Sequence, residues 1–254
     1  MNLSKNTQMV RDAWEQYQSD YLRFNVLDRP DYYEFFEGGG TDLSSEEVDL
    51  LGNVTSLDLL DTCCAADARQ SFSWANLGAS VTGCDITTSA IENATRTAAR
   101  IGKDIDFVVA DAQTLEPIGD ATQDIVYATY IIWLEDLRKA SLAWHRVLRT
   151  GGRILMRQAH PVVDCLREHE NGALAVSEPY FDRGPDFHTF QGTPIANRHG
   201  GWGKHAEVVE FFYRIEDMIN ALVEAGFQIA RVVESRSEGI GSLPSHFTIL
   251  ARKT

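Results

Sequence analysis

Three aspartates stand at the ends of short apolar segments, where they could hold a ligand that carries hydroxyl or amino groups. Asp61 lies in the first of these segments, Asp85 ends the second one 24 positions later, and Asp111 directly follows the third. An acid roughly 20 residues beyond the loop after a first strand suits paired hydrogen bonds to the two hydroxyls of a ribose. In an open α/β sheet, ligands bind at the edge formed by the carboxyl ends of the strands. The order and spacing of the three acids therefore predict a nucleoside site.

Alternating strand and helix patterns predict the elements that position these acids. The predicted strands are 57–63, 80–85, 107–110, 124–128, 153–157, 228–234 and 248–251. The predicted helices are 69–77, 89–101, 135–148 and 215–225. Continuous apolar strands separated by helices are typical of a parallel sheet with helices on both faces. We therefore expect an α/β fold with a doubly wound, seven-stranded, mostly parallel sheet.

Two segments fall outside this alternation. Residues 1–45 begin with a helix that carries Trp14, Tyr17 and Tyr21 on one face, and continue into an aromatic patch. This face either attaches the helix to the core or forms a lid over a ligand. Within the 46–254 domain, residues from about 159 to 212 are rich in Gly, Pro, His and aromatic residues. We expect an inserted cap there, which either covers the site or packs a small core of its own.

The composition argues against several classes of protein. There are 23 Lys and Arg against 37 Asp and Glu, a formal net charge of −14, and no basic run, so nucleic acid is not an expected partner. The longest apolar stretch is far shorter than the ~20 residues of a membrane helix, and the first residues do not resemble a signal peptide. We therefore expect a cytoplasmic protein with no membrane partner. The four cysteines include no C-x-x-C pair, so we expect no metal site or disulfide framework.

Three motifs resemble one known family. The stretches ASVTGCDI (79–86), FVVADA (107–112) and RVLRTGGR (146–153) are similar to the core of class I S-adenosylmethionine-dependent methyltransferases. The similarity extends over about 57–155, and residues 215–227 resemble the following helix of bacterial small-molecule members. It implies a Rossmann-like fold with S-adenosylmethionine as cofactor. It also implies that Asp85 holds the ribose hydroxyls, that Asp111 holds the adenine amino group, and that residues 127–133 form the floor between cofactor and acceptor.

The first loop departs from the family pattern. The family has an acid followed by three glycines at alternate positions. Here Asp61 is kept, but Cys63, Ala65 and Asp67 replace the glycines. Because these side chains do not freely take positive φ, we expect the methionine end of the cofactor to be held differently. The candidate cofactor-binding residues are Tyr21, Asp61, Cys63, Cys64, Asp85, Ile86, Asp111, Ala112 and Tyr127.

Aromatic and histidine side chains are the candidates on the acceptor side. Rings around a sulfonium attract it by cation–π interaction, and the candidate rings are Tyr17, Tyr21, Tyr130 and Trp133. Tyr17, Trp133 and Tyr180 are the predicted substrate contacts, Tyr180 because it lies in the insertion. His160, just past the fifth strand, is the best-placed general base, and Tyr130 is the second predicted catalytic residue.

Three functions are compatible with this pattern. The first is in-line methyl transfer to a small-molecule acceptor, as in secondary metabolism. The second is an intramolecular cyclisation of the cofactor's own amino acid chain, which releases methylthioadenosine and forms azetidine-2-carboxylate. The third is a non-catalytic binder that retains the nucleoside acids. The acceptor and the oligomeric state are not determined by the sequence.

Overall fold

Strands and helices alternate along most of the chain. The computed structural model describes residues 1–27, 29–168, 174–181, 184–189, 206–236 and 243–254. The described strands are β1 Asp58–Asp61, β2 Ser80–Asp85, β3 Asp106–Val109, β4 Gln123–Ala128, β5 Leu148–Ala159, β6 Leu166–Glu168, β7 Leu174–Val176, β8 Asp186–Thr189, β9 Glu207–Glu210, β10 Phe227–Arg236 and β11 Pro244–Lys253. The described helices are α1 Lys5–Leu22, α2 Tyr32–Glu37, α3 Ser45–Leu51, α4 Arg69–Asn76, α5 Thr88–Arg100, α6 Leu137–Val147, α7 Pro161–Asp164 and α8 Ile215–Glu224.

Seven of these strands form the central sheet, in the order β10-β11-β5-β4-β1-β2-β3. The pairs from β5 through β4, β1 and β2 to β3 are all parallel. Strand β11 is antiparallel to both of its neighbours, β5 and β10. This arrangement confirms the predicted seven-stranded, mostly parallel sheet and its Rossmann-like class.

Both faces of the sheet are covered, because successive side chains of a strand point to opposite sides. Leu59 of β1 belongs to a cluster that contains Trp74 of α4. Leu60, the next residue, packs in the cluster of Trp144 of α6 and Leu222 of α8. All five of these side chains are buried. The double layer of helices therefore explains why these strands are apolar on both faces.

The N-terminal segment consists of α1, a π-helical turn over Arg23–Leu27, and the helices α2 and α3. Ser4 is the N-cap of α1, and its side chain accepts a hydrogen bond from the Thr7 amide. Helix α3 was not predicted from the sequence. Its capping box, in which Ser44 and Glu47 bond each other's backbone amides, was nevertheless visible as Ser-x-x-Glu before an apolar run.

The described part of the insertion contains α7 and two antiparallel strand pairs, β6 with β7 and β8 with β9. Its end packs on α1, since Val208, Val209 and Phe211 share a buried cluster with Val10 and Tyr17. The remainder of the predicted insertion lies outside the described residues. Strand β5 reaches Ala159, two residues beyond the predicted strand. None of the described helices is both long and apolar enough to span a membrane.

Candidate functional site

A narrow, mostly apolar cleft opens at the carboxyl ends of β1 to β4. It has a volume of about 80 Å³, and one face of α1 closes it. The residues predicted for the site that line this cleft are Tyr21, Cys63, Asp85, Ile86, Asp111, Ala112, Tyr130 and Trp133. Strand ends that are far apart in sequence thus bring two of the three predicted acids, Asp85 and Asp111, to the same cleft, as expected for an open parallel sheet.

The two acids of this cleft are oriented by backbone amides. Oδ1 of Asp85 accepts hydrogen bonds from the amide and the hydroxyl of Thr87, at 2.9 and 2.8 Å, and Oδ2 accepts one from the Ala65 amide at 3.2 Å. Oδ1 of Asp111 accepts a hydrogen bond from the Gln113 amide at 2.9 Å. Burial raises the pKa of Asp85, while its bonds with Thr87 and Ala65 lower it. Both carboxyl groups are therefore fixed in position before a ligand arrives.

The other polar groups of the cleft indicate which ligand it can hold. Gln18 of α1 donates to the Thr87 hydroxyl at 3.1 Å, and its own Oε1 is buried without a hydrogen-bond partner among the described residues. Among the described residues that line the cleft there is no Lys, Arg or His. Two carboxylates and an amide oxygen accept hydrogen bonds from hydroxyl and amino groups, and the absence of a cation disfavours phosphates. The residues fit the ribose and adenine of a nucleoside without phosphates, which includes S-adenosylmethionine.

Three of the predicted cofactor residues do not line the narrow cleft. Asp61 and Cys64 are fully buried behind it, where Asp61 accepts a hydrogen bond from Ser71 at 2.7 Å. Burial raises the pKa of Asp61 to about 7. Tyr127 lines a second, larger cleft instead, and its hydroxyl donates to Glu47 at 2.5 Å.

The loop after β1 has a positive φ at one of the positions where the family has glycine. Ala65 and Ala68 both take the left-handed conformation, with φ of +56° and +46°. The loop therefore follows a glycine-like path at Ala65 in spite of its side chain. The Ala65 amide donates a hydrogen bond to Asp85, so this strained position also helps to orient the acid.

Replacing Ala65 by Gly is expected to stabilise the protein by about 0.5–1 kcal/mol. The left-handed conformation costs a non-glycine residue about 1–2 kcal/mol, which glycine avoids. Glycine loses more conformational entropy on folding, which offsets about 0.5–1 kcal/mol of this gain. Urea denaturation measures the difference. Ala75→Gly in α4 is the matched control, because its helical backbone makes the same substitution destabilising by about 1 kcal/mol. A loss of stability in Ala65→Gly would contradict the strain.

The second cleft is larger and polar, with a volume of about 460 Å³. Its charged and titratable lining residues are Asp42, Glu47, Arg69, Tyr127, Tyr130, Arg157, Asp164, Tyr213 and His246. Tyr130 lines both clefts and accepts a hydrogen bond from Arg69 at 3.4 Å. Its backbone is left-handed, with φ of +56°. The two clefts therefore meet at Tyr130.

The predicted acceptor-side residues are divided among different places. Trp133 lines the narrow cleft, where it contacts Trp14. Tyr180 lies in a small recess beside the large cleft, next to Tyr213. Tyr17 lines neither of these two clefts: its buried hydroxyl donates to the Ala206 carbonyl at 2.7 Å and accepts from the Ala206 amide at 3.0 Å.

His160 lies beside the large cleft but does not line it. Its Nδ1 accepts a hydrogen bond from the Val162 amide at 3.2 Å and caps α7. Its Nε2 lies 3.0 Å from a carboxylate oxygen of Glu234. Both ring nitrogens of His160 therefore have a partner within the protein.

Five residues that line the two clefts were not predicted from the sequence: Gln18, Glu47, Arg69, Arg157 and His246. For Glu47 the capping box was an available signal. Arg157 and His246 become neighbours only because β5 pairs with β11, with Ala159 opposite His246 and Arg157 opposite Thr248. No local sequence pattern contains that register.

Comparison with known proteins agrees with the geometry. The family described as "Methyltransferase domain" matches residues 60–156. Over 150 residues, 52% of this chain, the protein is 29% identical to malonyl-[acyl-carrier protein] O-methyltransferase of Pseudescherichia vulneris. Over 170 residues, 60% of this chain, it is 27% identical to phosphoethanolamine N-methyltransferase 3 of Arabidopsis thaliana. The matches span 57% and 34% of these two relatives.

The fold has close counterparts among solved structures. A putative S-adenosylmethionine-dependent methyltransferase from Listeria monocytogenes superposes with a TM-score of 0.64 at 18% sequence identity, over 82% of this chain and 96% of that one. This likeness establishes the fold, and the domain match establishes the relationship in sequence. Residues 60–156 therefore match a methyltransferase domain, the fold is that of S-adenosylmethionine-dependent methyltransferases, and these comparisons indicate S-adenosylmethionine as the cofactor.

Proposed function

We propose that this protein transfers a methyl group from S-adenosylmethionine to a small polar acceptor. The observation that carries the proposal is the meeting of two unlike clefts at Tyr130, one narrow and free of cations, the other large and polar. A methyltransferase needs such a pair, because donor and acceptor must lie in line on either side of the transferred carbon. Alignment of this kind supplies roughly 7–11 kcal/mol of the barrier.

The narrow cleft is the proposed cofactor site. Asp85 would bind the ribose hydroxyls and Asp111 the adenine amino group, while Gln18 offers its unpaired Oε1 to a further donor. When bound, the cofactor supplies a methyl group already activated by its positive sulfur. Tyr130 and Trp133 present aromatic rings to that charge, and each ring contributes about 0.5–2 kcal/mol by cation–π attraction.

The large cleft is the proposed acceptor site. Arg157 lies 3.5 Å from Glu47, which also accepts the Tyr127 hydroxyl. Arg69 lies 3.8 Å from both Asp42 and the buried Asp67. These paired charges hold a rigid polar surface that suits a polar acceptor. The relatives named above act on unlike acceptors, a carrier-bound malonyl group and phosphoethanolamine, so the acceptor has to be found by experiment.

Incubation with S-adenosylmethionine and a metabolite panel, followed by mass spectrometry, tests the proposal. We expect S-adenosylhomocysteine and a methylated product only when an acceptor is present. If methylthioadenosine and a cyclic amino acid form without any acceptor, the reaction is intramolecular cyclisation and not methyl transfer. Clear binding without turnover across the panel would favour a non-catalytic binder. The absence of cofactor binding would overturn all three functions.

A Tyr17→Phe variant tests whether Tyr17 belongs to the site or to the fold. Because the lost hydroxyl leaves both polar groups of Ala206 without their partner, we expect a loss of about 1–3 kcal/mol in unfolding free energy. The affinity for S-adenosylmethionine should be unchanged, as measured by calorimetry. The control is Tyr33→Phe, since no hydrogen bond of the Tyr33 hydroxyl is recorded among the described residues. A large loss of affinity for S-adenosylmethionine in Tyr17→Phe would show that Tyr17 contributes to the binding site.

A further inference from the structure

His246 lies at the wall of the large cleft, on β11, opposite Ala159 of β5. Among the described residues that line this cleft, His246 is the one histidine, and it is about half-buried. Its neighbour Ser245, also on β11, is buried, with 4% of its surface exposed. The ring therefore has one side held by the protein and one side at the cleft.

The hydrogen bonds of Ser245 determine which ring nitrogen carries the proton. Oγ of Ser245 lies 3.0 Å from Nδ1 of His246 and 3.3 Å from the carbonyl oxygen of Ser235. A serine hydroxyl has one proton, and a carbonyl oxygen can only accept. Both contacts are satisfied together only when Ser245 donates to Ser235 and accepts the Nδ1 proton of His246. In this tautomer Nε2 carries a lone pair, and no partner of Nε2 is recorded among the described residues.

The charges around the ring set its protonation. Arg157 faces it from β5, Glu46 and Glu47 face it from α3, and Asp164 of α7 lines the same cleft. Burial, followed by the Arg157 guanidinium, lowers the pKa of His246, and the two glutamates partly oppose this. A neutral imidazole can accept a proton, and the glutamates then stabilise the imidazolium that forms.

We propose that His246 is the general base for the acceptor, with Ser245 as the residue that positions it. This rests on the proposed methyl transfer. The nucleophilic atom of an acceptor hydroxyl or amine forms a bond to the methyl carbon, and the methyl–sulfur bond breaks with its electron pair going to sulfur. The proton of the nucleophile passes to Nε2 of His246, and the imidazolium later returns it to water. The acceptor class is therefore one whose nucleophile loses a proton, and acceptors that are already anionic do not need this histidine.

Nitrogen-15 NMR of the histidine rings tests the tautomer without any acceptor. At pH 7.5 we expect His246 to be neutral with its proton on Nδ1, and we expect Ser245→Ala to shift the population toward the Nε2–H form. An Nε2–H tautomer or an imidazolium in the unmodified protein would overturn the proposal. Ser245→Ala removes only the hydroxyl group. Unchanged signals from the other histidines would show that the fold of this variant is intact.

Kinetics with an acceptor identified from the metabolite panel completes the test. His246→Gln is expected to lower kcat by about 10²–10⁴-fold and to remove the acidic limb of the pH–rate profile, with an unchanged calorimetric Kd for S-adenosylmethionine. His145→Gln, on α6 and away from both clefts, is the matched control. Unchanged turnover in His246→Gln would overturn the role of His246 and leave the proposed function standing. Failure of the whole panel would count against the proposed function, while the NMR result would still decide the tautomer.

Discussion

The Asp85→Asn variant is expected to bind S-adenosylmethionine about 100-fold more weakly than the unmodified protein. In the proposed site the carboxylate accepts hydrogen bonds from the ribose, and hydrogen bonds to a charged group are worth about 1.5–3 kcal/mol each. An amide keeps the size of the side chain but presents a donor where the ribose also donates. Asp85 also orients the Thr87 and Ala65 amides, so the cleft itself loses part of its support. Isothermal calorimetry measures the affinity.

The matched control for Asp85 is Asp106→Asn. Asp106 begins β3 at the opposite, amino-terminal edge of the sheet and is exposed. The Asp106→Asn variant has the same change of charge at a position away from the cleft. Its affinity for S-adenosylmethionine should therefore equal that of the unmodified protein. Equal weakening in both variants would point to a general electrostatic effect. An unchanged affinity in Asp85→Asn would remove the nucleoside site from the narrow cleft, and with it the proposed function.

The cofactor-free protein should lose about 2–3 kcal/mol of stability through Asp61 between pH 5 and pH 8. Burial raises the pKa of this carboxyl from 3.8 in the unfolded chain to about 7 in the fold. Between these values the unfolded state releases a proton that the folded state retains, so unfolding becomes easier as the pH rises. The loss ends above the folded pKa, where both states are ionised. Urea denaturation at several pH values measures it.

Asp61→Asn isolates this contribution from that of the other titrating groups. The variant keeps the shape of the side chain beside Ser71 and cannot ionise. The difference in unfolding free energy between the two proteins should therefore change with pH in favour of the variant, by the amount given above. A difference that stays constant from pH 5 to pH 8 would show that Asp61 titrates with an ordinary pKa, and that the region behind the narrow cleft is open to water.

Position within the sheet explains why part of the candidate site followed from the sequence. Asp85 ends β2 and Asp111 lies two residues beyond β3. Both strands are predictable from their apolar runs, and parallel strands bring their ends to one edge. Ile86 and Ala112, which directly follow these acids, also line the narrow cleft. Tyr17 and Asp61 show its limit, because both have suitable chemistry and sequence positions but lie outside the clefts.

The sequence by itself determined the fold class, the order of strands and helices from β1 to β5, and the acids of the narrow cleft. These depend on local patterns: apolar runs, helix ends and the residues that follow each strand. Only the tertiary structure decided the large cleft. It placed Arg157 and His246 on a shared wall through the register of β5 with β11, and it brought Glu47 to Tyr127 across 80 positions of sequence. Contacts of that kind depend on which elements pack together, and no short stretch of residues specifies them.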